Sequence, residues 1–193
     1  MTHDTVSSPL YSGATCSILV VDDNHTALAV IGRRLGRLGY LPVLCDAATD
    51  ALDQVAVRRF DLVLADMVMP GMSGMQLLRA LRASPQTRDI PVILMTSRSD
   101  PAAAVDALAA GADDHVGKPF DFDVLAARIA RVIGHARRLA DLKTSNAALD
   151  ARIAERAIEL GEAKTELAAT RADRLRLVAS LQALNDRVEL AGC

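Results

Sequence analysis

Asp22, Asp23, Asp66, Thr96 and Lys118 carry most of the chemical information in this 193-residue chain. Each lies at the end of, or just after, a short apolar run: CSILVVDD, DLVLAD, PVILMTS and HVGKP. Carboxylates brought together repel one another unless a cation stands between them. With a hydroxyl and an ammonium beside them, they make an acidic pocket suited to a divalent cation and a phosphoryl group. Asp66 is the candidate nucleophile, because Met67-Val68-Met69-Pro70-Gly71 follows it with no other ionisable group. Mg2+ prefers oxygen ligands in octahedral geometry and keeps waters. Asp23, Asp66 and a backbone carbonyl near Val68 suit it, with Asp22 reaching it through a water. Lys118 offers a fixed positive charge and Thr96 a hydroxyl donor, and phosphoryl transfer is mostly positioning and charge neutralisation. Each residue alone has a plainer reading: Asp22 or Asp23 as the N-cap of the next helix, Thr96 as a β-branched strand residue, Lys118 as a surface lysine. Their coincidence at successive strand ends outweighs those readings.

Such groups meet only if the strands run the same way, because the carboxyl ends of an open parallel α/β sheet line the ligand crevice. The chain has that pattern. Ser17–Val21 is a continuous apolar run, the mark of a strand buried on both faces. Residues 42–45, 62–65, 92–95 and 114–117 read as four further strands. Between them lie helical segments at 25–38, 48–59, 75–83 and 99–110, with 70–74 as a turn. Gly39 and Gly111 follow two of these segments as helix-ending glycines do. Asp121 or Asp123 caps a last helix. Five βα units in sequence predict a doubly wound parallel sheet with helices on both faces.

The last helix runs on past the point where such a domain ends. From Leu125 to Ala191 there is no proline. Leu139, Leu142, Asn146, Leu149, Ile153 and Leu160 open a seam in 3-4 spacing that continues through Leu167, Leu177 and Leu181 over seven heptads. Sustained a/d spacing is the signature of a coiled coil. Beyond residue 137 the rod would be about 85 Å long. Asn146 falls at an a position, where a buried asparagine fixes register and favours parallel dimers at a cost in stability. Arg156, Thr170 and Arg174 weaken the middle of the seam. The plainer alternative is a tail that folds back on its own domain.

Composition closes off other classes. Hydrophobic residues make up 51% and aromatics 3%, so the core is aliphatic. The net charge is −2, which lacks the basic balance of a nucleic-acid binder. Cys16, Cys45 and Cys193 are odd in number and widely spaced, which reads as reduced thiols in a cytoplasmic protein. No apolar stretch reaches the roughly 20 residues that span a bilayer. The segment 1–15 lacks the features of a secretory signal and reads as a disordered polar tail.

ILVVDDN, DLVLADMVMPGMSG, PVILMTS and GADDHVGKPF, in that order, resemble the receiver domain of two-component response regulators of the chemotaxis-regulator type, over residues 16–136. The resemblance implies a flavodoxin-like sheet of strand order 2-1-3-4-5, followed by the coiled-coil helix at 137–193. It implies that Asp66 is the phosphoacceptor, Asp22 and Asp23 the acidic metal pair, and Val68 the donor of a backbone carbonyl to Mg2+. Thr96 then corresponds to the switch hydroxyl and Lys118 to the family's lysine. The expected phosphodonor is a sensor histidine kinase or phosphotransfer protein, and the chain itself is no enzyme beyond self-catalysed phosphotransfer and dephosphorylation. The expected output runs through the surface of the fourth helix, fifth strand and fifth helix to a parallel homodimer or an unknown downstream protein, with no nucleic acid or membrane involved. One departure is His115, where the family usually has Tyr or Phe. It is either a switch residue with pH sensitivity or a half-exposed edge-strand residue. Three other readings stay open: a haloacid-dehalogenase-like phosphatase, which usually has an acid where this chain has Val68; a phosphorylation-independent scaffold; and a regulator whose output enzyme domain has been lost.

Overall fold

The computed structural model describes residues 15–97 and 101–191. The expected disordered tail, the expected start of the fourth helix at Ser99, and Cys193 lie outside them. The elements alternate as β1 (Ser17–Val21), α1 (His25–Arg37), β2 (Leu41–Cys45), α2 (Ala48–Val57), β3 (Leu62–Asp66), α3 (Gly74–Ala83), β4 (Val92–Ser97), α4 (Pro101–Ala109), β5 (Asp114–Lys118) and α5 (Phe122–Ala191). The strands form one parallel sheet in the order β2-β1-β3-β4-β5. The order and the parallel sense agree with expectation. Glycine 74 opens α3, where the sequence reads as turn.

Alternation along the inner strands builds two apolar layers. Leu19, Val21, Val63, Ala65 and Leu94 point to the side of α2 and α3, where Leu77, Leu78 and Leu81 are buried. Ile18, Val20, Leu62, Leu64, Ile93 and Met95 point to the other side, against Leu28, Ile31 and Leu35 of α1 and Leu125, Ile129 and Val132 of α5. This is why β1, β3 and β4 read as unbroken apolar runs, while edge strand β2 does not. Each fully buried Leu or Ile contributes about 1.5–3 kcal/mol.

Local signals set the helix ends. Asn24 caps α1, its Oδ1 accepting from the backbone N–H of Thr26 and Ala27 at 3.0 and 3.1 Å. Neither Asp22 nor Asp23 takes that role, which frees both for the pocket. Gly39 and Gly111 follow α1 and α4 at φ 87° and 97°, a left-handed conformation that side chains disfavour. Ser73 and Gln76 form a capping box at the start of α3. Asp121 caps α5, accepting from Asp123 N–H at 2.7 Å.

Three charged groups tie the layers together. Arg82, on α3, donates to the carbonyls of Gly111, Arg88 and Ile90 and to the Asp113 carboxylate. Asp114, buried at the start of β5, accepts from Arg128 and Arg131 of α5. Burial alone would raise the Asp114 carboxyl, but hydrogen bonds from Arg131, the His115 backbone and Arg128 hold it below the ordinary aspartate range. Arg137 donates to Asp61 at 3.1 Å, and Asp61 also accepts from Ser17 N–H at 2.8 Å. The buried Cys16 and Cys45 are free thiols, both pushed up chiefly by burial.

The chain divides into two compact units, Met1–Leu139 and Ala140–Cys193. Within the second unit the described residues are helical, and the leucines from Leu142 to Leu181 face solvent: Leu142 is 62% exposed and Leu177 65%. Thr144, Thr165, Thr170 and Ser180 donate back to the carbonyls four residues earlier. Among the described residues, no helix is long and apolar enough to cross a membrane.

Candidate functional site

The ends of β1, β3, β4 and β5 share one edge of the sheet because the strands pair in near-level register. Val21 pairs with Ala65, Asp66 with Met95, Thr96 with Gly117, and Ser97 with Lys118. The residues that follow β1 or terminate the other three strands therefore converge.

Asp22 is fully buried. One of its carboxylate oxygens accepts from Asn24 N–H at 2.9 Å, and the other from Lys118 Nζ at 2.7 Å. The same ammonium lies 2.9 Å from Oδ2 of Asp66, the last residue of β3. Asp23 is exposed at the mouth. One carboxylate oxygen each from Asp22, Asp23 and Asp66 lies within 4.8 Å of the others, a spacing that can hold a metal ion. Three carboxyl groups against one ammonium leave a formal excess of two negative charges there. All the donors are hard oxygens, the set that suits Mg2+, Ca2+ or Mn2+. Burial works against the Lys118 ammonium, but hydrogen bonds to Asp22 and Asp66 and the charges of both more than offset it, so its pKa lies above the ordinary lysine range.

The other expected residues take distinct places. Thr96 is buried near the end of β4, one residue beyond the register partner of Asp66. Val68 lies two residues after the end of β3 and is 76% exposed. His115 pairs with Leu94 on edge strand β5, and its Nδ1 is buried without a hydrogen-bond partner among the described residues. The Lys118–Pro119 peptide bond is cis. Asn146 lies on the exposed C-terminal helix, away from any pocket residue in sequence.

The backbone of Met67, immediately after Asp66, is held from two sides. Met67 N–H donates to the Met95 carbonyl at 2.9 Å, and Gly74 N–H to the Met67 carbonyl at 3.1 Å. Gly74 packs so closely that a Cβ there would strike the Asp66 carbonyl oxygen. In the sequence, Gly74 closes the PGMSG run at 70–74, a turn signal that carries no sign of this close approach.

The family model of the response regulator receiver domain matches residues 18–130, more than half of the chain. The chain belongs to the receiver family. Among curated relatives, it is 38% identical over 135 residues to the transcriptional regulatory protein ZraR of Escherichia coli O157:H7, covering 70% of this chain and 28% of ZraR. It is 39% identical over 112 residues to the two-component response regulator PhoP of Pseudomonas aeruginosa, covering 58% of this chain and 49% of PhoP. The chain thus spans half or less of the length of those relatives. The receiver domain of a signal transduction histidine kinase from Syntrophus aciditrophicus superimposes with a TM-score of 0.60 at 35% identity, over 64% of this chain and 94% of that domain. The receiver domain of a sensor histidine kinase from Pseudomonas aeruginosa PAO1, solved with a magnesium ion in its active-site cleft, superimposes at 0.58 and 31% identity, over 63% of this chain and 99% of that domain. The family model ends at residue 130, so the greater part of α5 lies outside it.

Proposed function

We propose that this receiver acts in a two-component phosphorelay as a response regulator, taking a phosphoryl group onto Asp66 from a phosphohistidine of a sensor kinase or phosphotransfer protein. The observation that carries this reading is Lys118, whose ammonium bridges Asp22 at 2.7 Å and Asp66 at 2.9 Å beside the three-carboxylate cluster. An Asp66 carboxylate oxygen attacks phosphorus, the phosphorus–nitrogen bond breaks, and its electron pair stays on the imidazole. Lys118 turns from the Asp66 carboxylate to the oxygens of the transferred group. Asp22, Asp23, Asp66 and the Val68 backbone carbonyl would hold Mg2+, which would supply charge neutralisation for phosphoryl transfer. Phosphotransfer and hydrolysis of the acyl phosphate are self-catalysed, and the chain has no other enzymatic activity.

Thr96 serves as the switch hydroxyl that moves toward the new phosphate, and His115, whose buried Nδ1 has no partner among the described residues, is the residue that responds. The readout is the surface of α4, β5 and α5, joined to homodimerisation through the C-terminal helix. There Asn146 sets register in a parallel coiled coil. The protein works in the cytoplasm with its kinase and an unknown downstream protein, and uses neither nucleic acid nor membrane.

Incubation with acetyl phosphate and Mg2+, followed by peptide mapping of the adduct, tests this. The expected result is one base-labile phosphoryl group on Asp66, absent in Asp66→Asn and lost when Mg2+ is chelated. Mg2+ alone should also raise the melting temperature of the wild type. Labelling at another residue, or unchanged labelling in Asp66→Asn, would falsify the assignment.

A further inference from the structure

The C-terminal helix distributes its charges in a way that a second copy of the chain satisfies. Resting on the reading that this helix forms a parallel coiled coil with its counterpart, we propose that Glu159 and Glu166 of each copy pair with Lys164 and Arg171 of the other.

The seam positions are uncovered in the single chain, with Ile153 67% and Leu181 66% exposed. Taking Leu139 as a, Glu159 and Glu166 fall at g, and Lys164 and Arg171 at e. In a parallel pair, each g residue faces the e residue of the following heptad on the other helix, and such charges set partner and direction. Both matches here unite opposite charges, and two-fold symmetry makes four ion pairs of the two. An antiparallel pair faces g with g, and near full overlap it sets Glu159 against Glu166 of the second copy, which is repulsive.

These matches sit where the apolar seam is weakest, between Arg156 and Arg174. Arg156 has an acidic neighbour on its own helix, Glu159 Oε2 at 3.9 Å from its Nε. In the parallel arrangement Arg174 is flanked by Asp173 of the second copy, the g residue that precedes an a position. Thr170 already satisfies its hydroxyl on the Glu166 carbonyl at 3.0 Å, so it brings no unpaired donor into the seam. Asn146 opposite Asn146 then fixes the register. The polar middle of the seam thus becomes the part that specifies direction.

The test uses the full chain in a Cys193→Ser background. Sedimentation equilibrium compares it with an acid-to-base variant, Glu159→Lys with Glu166→Lys, and a base-to-acid variant, Lys164→Glu with Arg171→Glu. Each variant alone should raise the dimer Kd by about tenfold or more, and an equimolar mixture should recover wild-type affinity as a heterodimer. Oxidation of Asn146→Cys should give a covalent dimer. A wild type that stays monomeric at every concentration overturns the pairing, and this proposal with it. A dimer whose affinity the acid-to-base variant leaves unchanged, or in which position 146 does not cross-link, overturns these ion pairs and the parallel alignment while dimerisation itself stands; an antiparallel pair exchanges one like-charge contact for another and so does not respond.

Discussion

Gly74 lies flush against the peptide of Asp66, leaving no room for even a methyl group between them. The first turn of α3 is thereby pressed onto the end of β3, and the capping box of Ser73 and Gln76 holds it there. In Gly74→Ala, either α3 moves outward or the Asp66 backbone does. Forcing a methyl into a filled space costs about 1–3 kcal/mol, and here the obstacle is backbone. Urea denaturation should show a loss of at least about 2 kcal/mol on that basis. Labelling by acetyl phosphate should slow as well, because the displaced atom belongs to the candidate nucleophile. A variant with wild-type stability and labelling would show that the contact relaxes freely.

Asp114 makes the acid limb of stability a test of the β5–α5 contact. Its folded pKa is lowered, against the effect of burial, by Arg131, the His115 backbone and Arg128. A depressed carboxyl contributes stability that is fully present above the unfolded value of about 3.9 and is lost as pH falls through the lower folded value. The wild type should therefore lose stability on acidification below about pH 4, and Asp114→Asn should lose less over the same window. At neutral pH that variant should be destabilised by about 2 kcal/mol, the scale of hydrogen bonds to a charged group, tempered by the partial exposure of both arginines. Denaturation curves from strongly acid pH, below the ordinary aspartate range, up to neutral pH would check both statements. An acid limb of equal slope in the two proteins would assign it to other carboxylates.

How much of this was legible follows from where each signal lies along the chain. Asp22, Asp66, Thr96 and Lys118 stand at the ends of apolar runs, so locating the strands located the pocket. The uncharged stretch after Asp66 and the heptads after Leu139 are likewise local patterns. Arg82, Asp114 and Arg137 gave no such signal. Each is a charged residue within or beside an amphipathic segment, where the ordinary reading is a solvated face. Their partners, at Gly111, Arg128 and Asp61, are distant in sequence and meet only after the layers have packed. Gly74 belongs with them, because the need for glycine comes from a neighbouring strand and not from its own turn.

Arg82 supplies the sharpest separation of stability from function. Its Nε donates to the Gly111 carbonyl at 3.0 Å. One Nη reaches the Arg88 and Ile90 carbonyls at 3.0 and 2.8 Å, and the other the Asp113 carboxylate at 2.9 Å. Asp113 in turn accepts from Val92 N–H at 2.8 Å. The side chain thus pins α3 to the amino ends of β4 and β5, the edge of the sheet opposite the pocket. A guanidinium can make all these bonds at once, whereas the point charge of a lysine cannot. Arg82→Ala should cost about 2–4 kcal/mol, since several partners lose their donor together, and Arg82→Lys should recover less than half. Because no pocket residue is among those partners, both variants should still be labelled on Asp66 at close to the wild-type rate when assayed well below their melting temperatures. Loss of labelling with folding intact would mean that this pin also sets the geometry of the opposite edge.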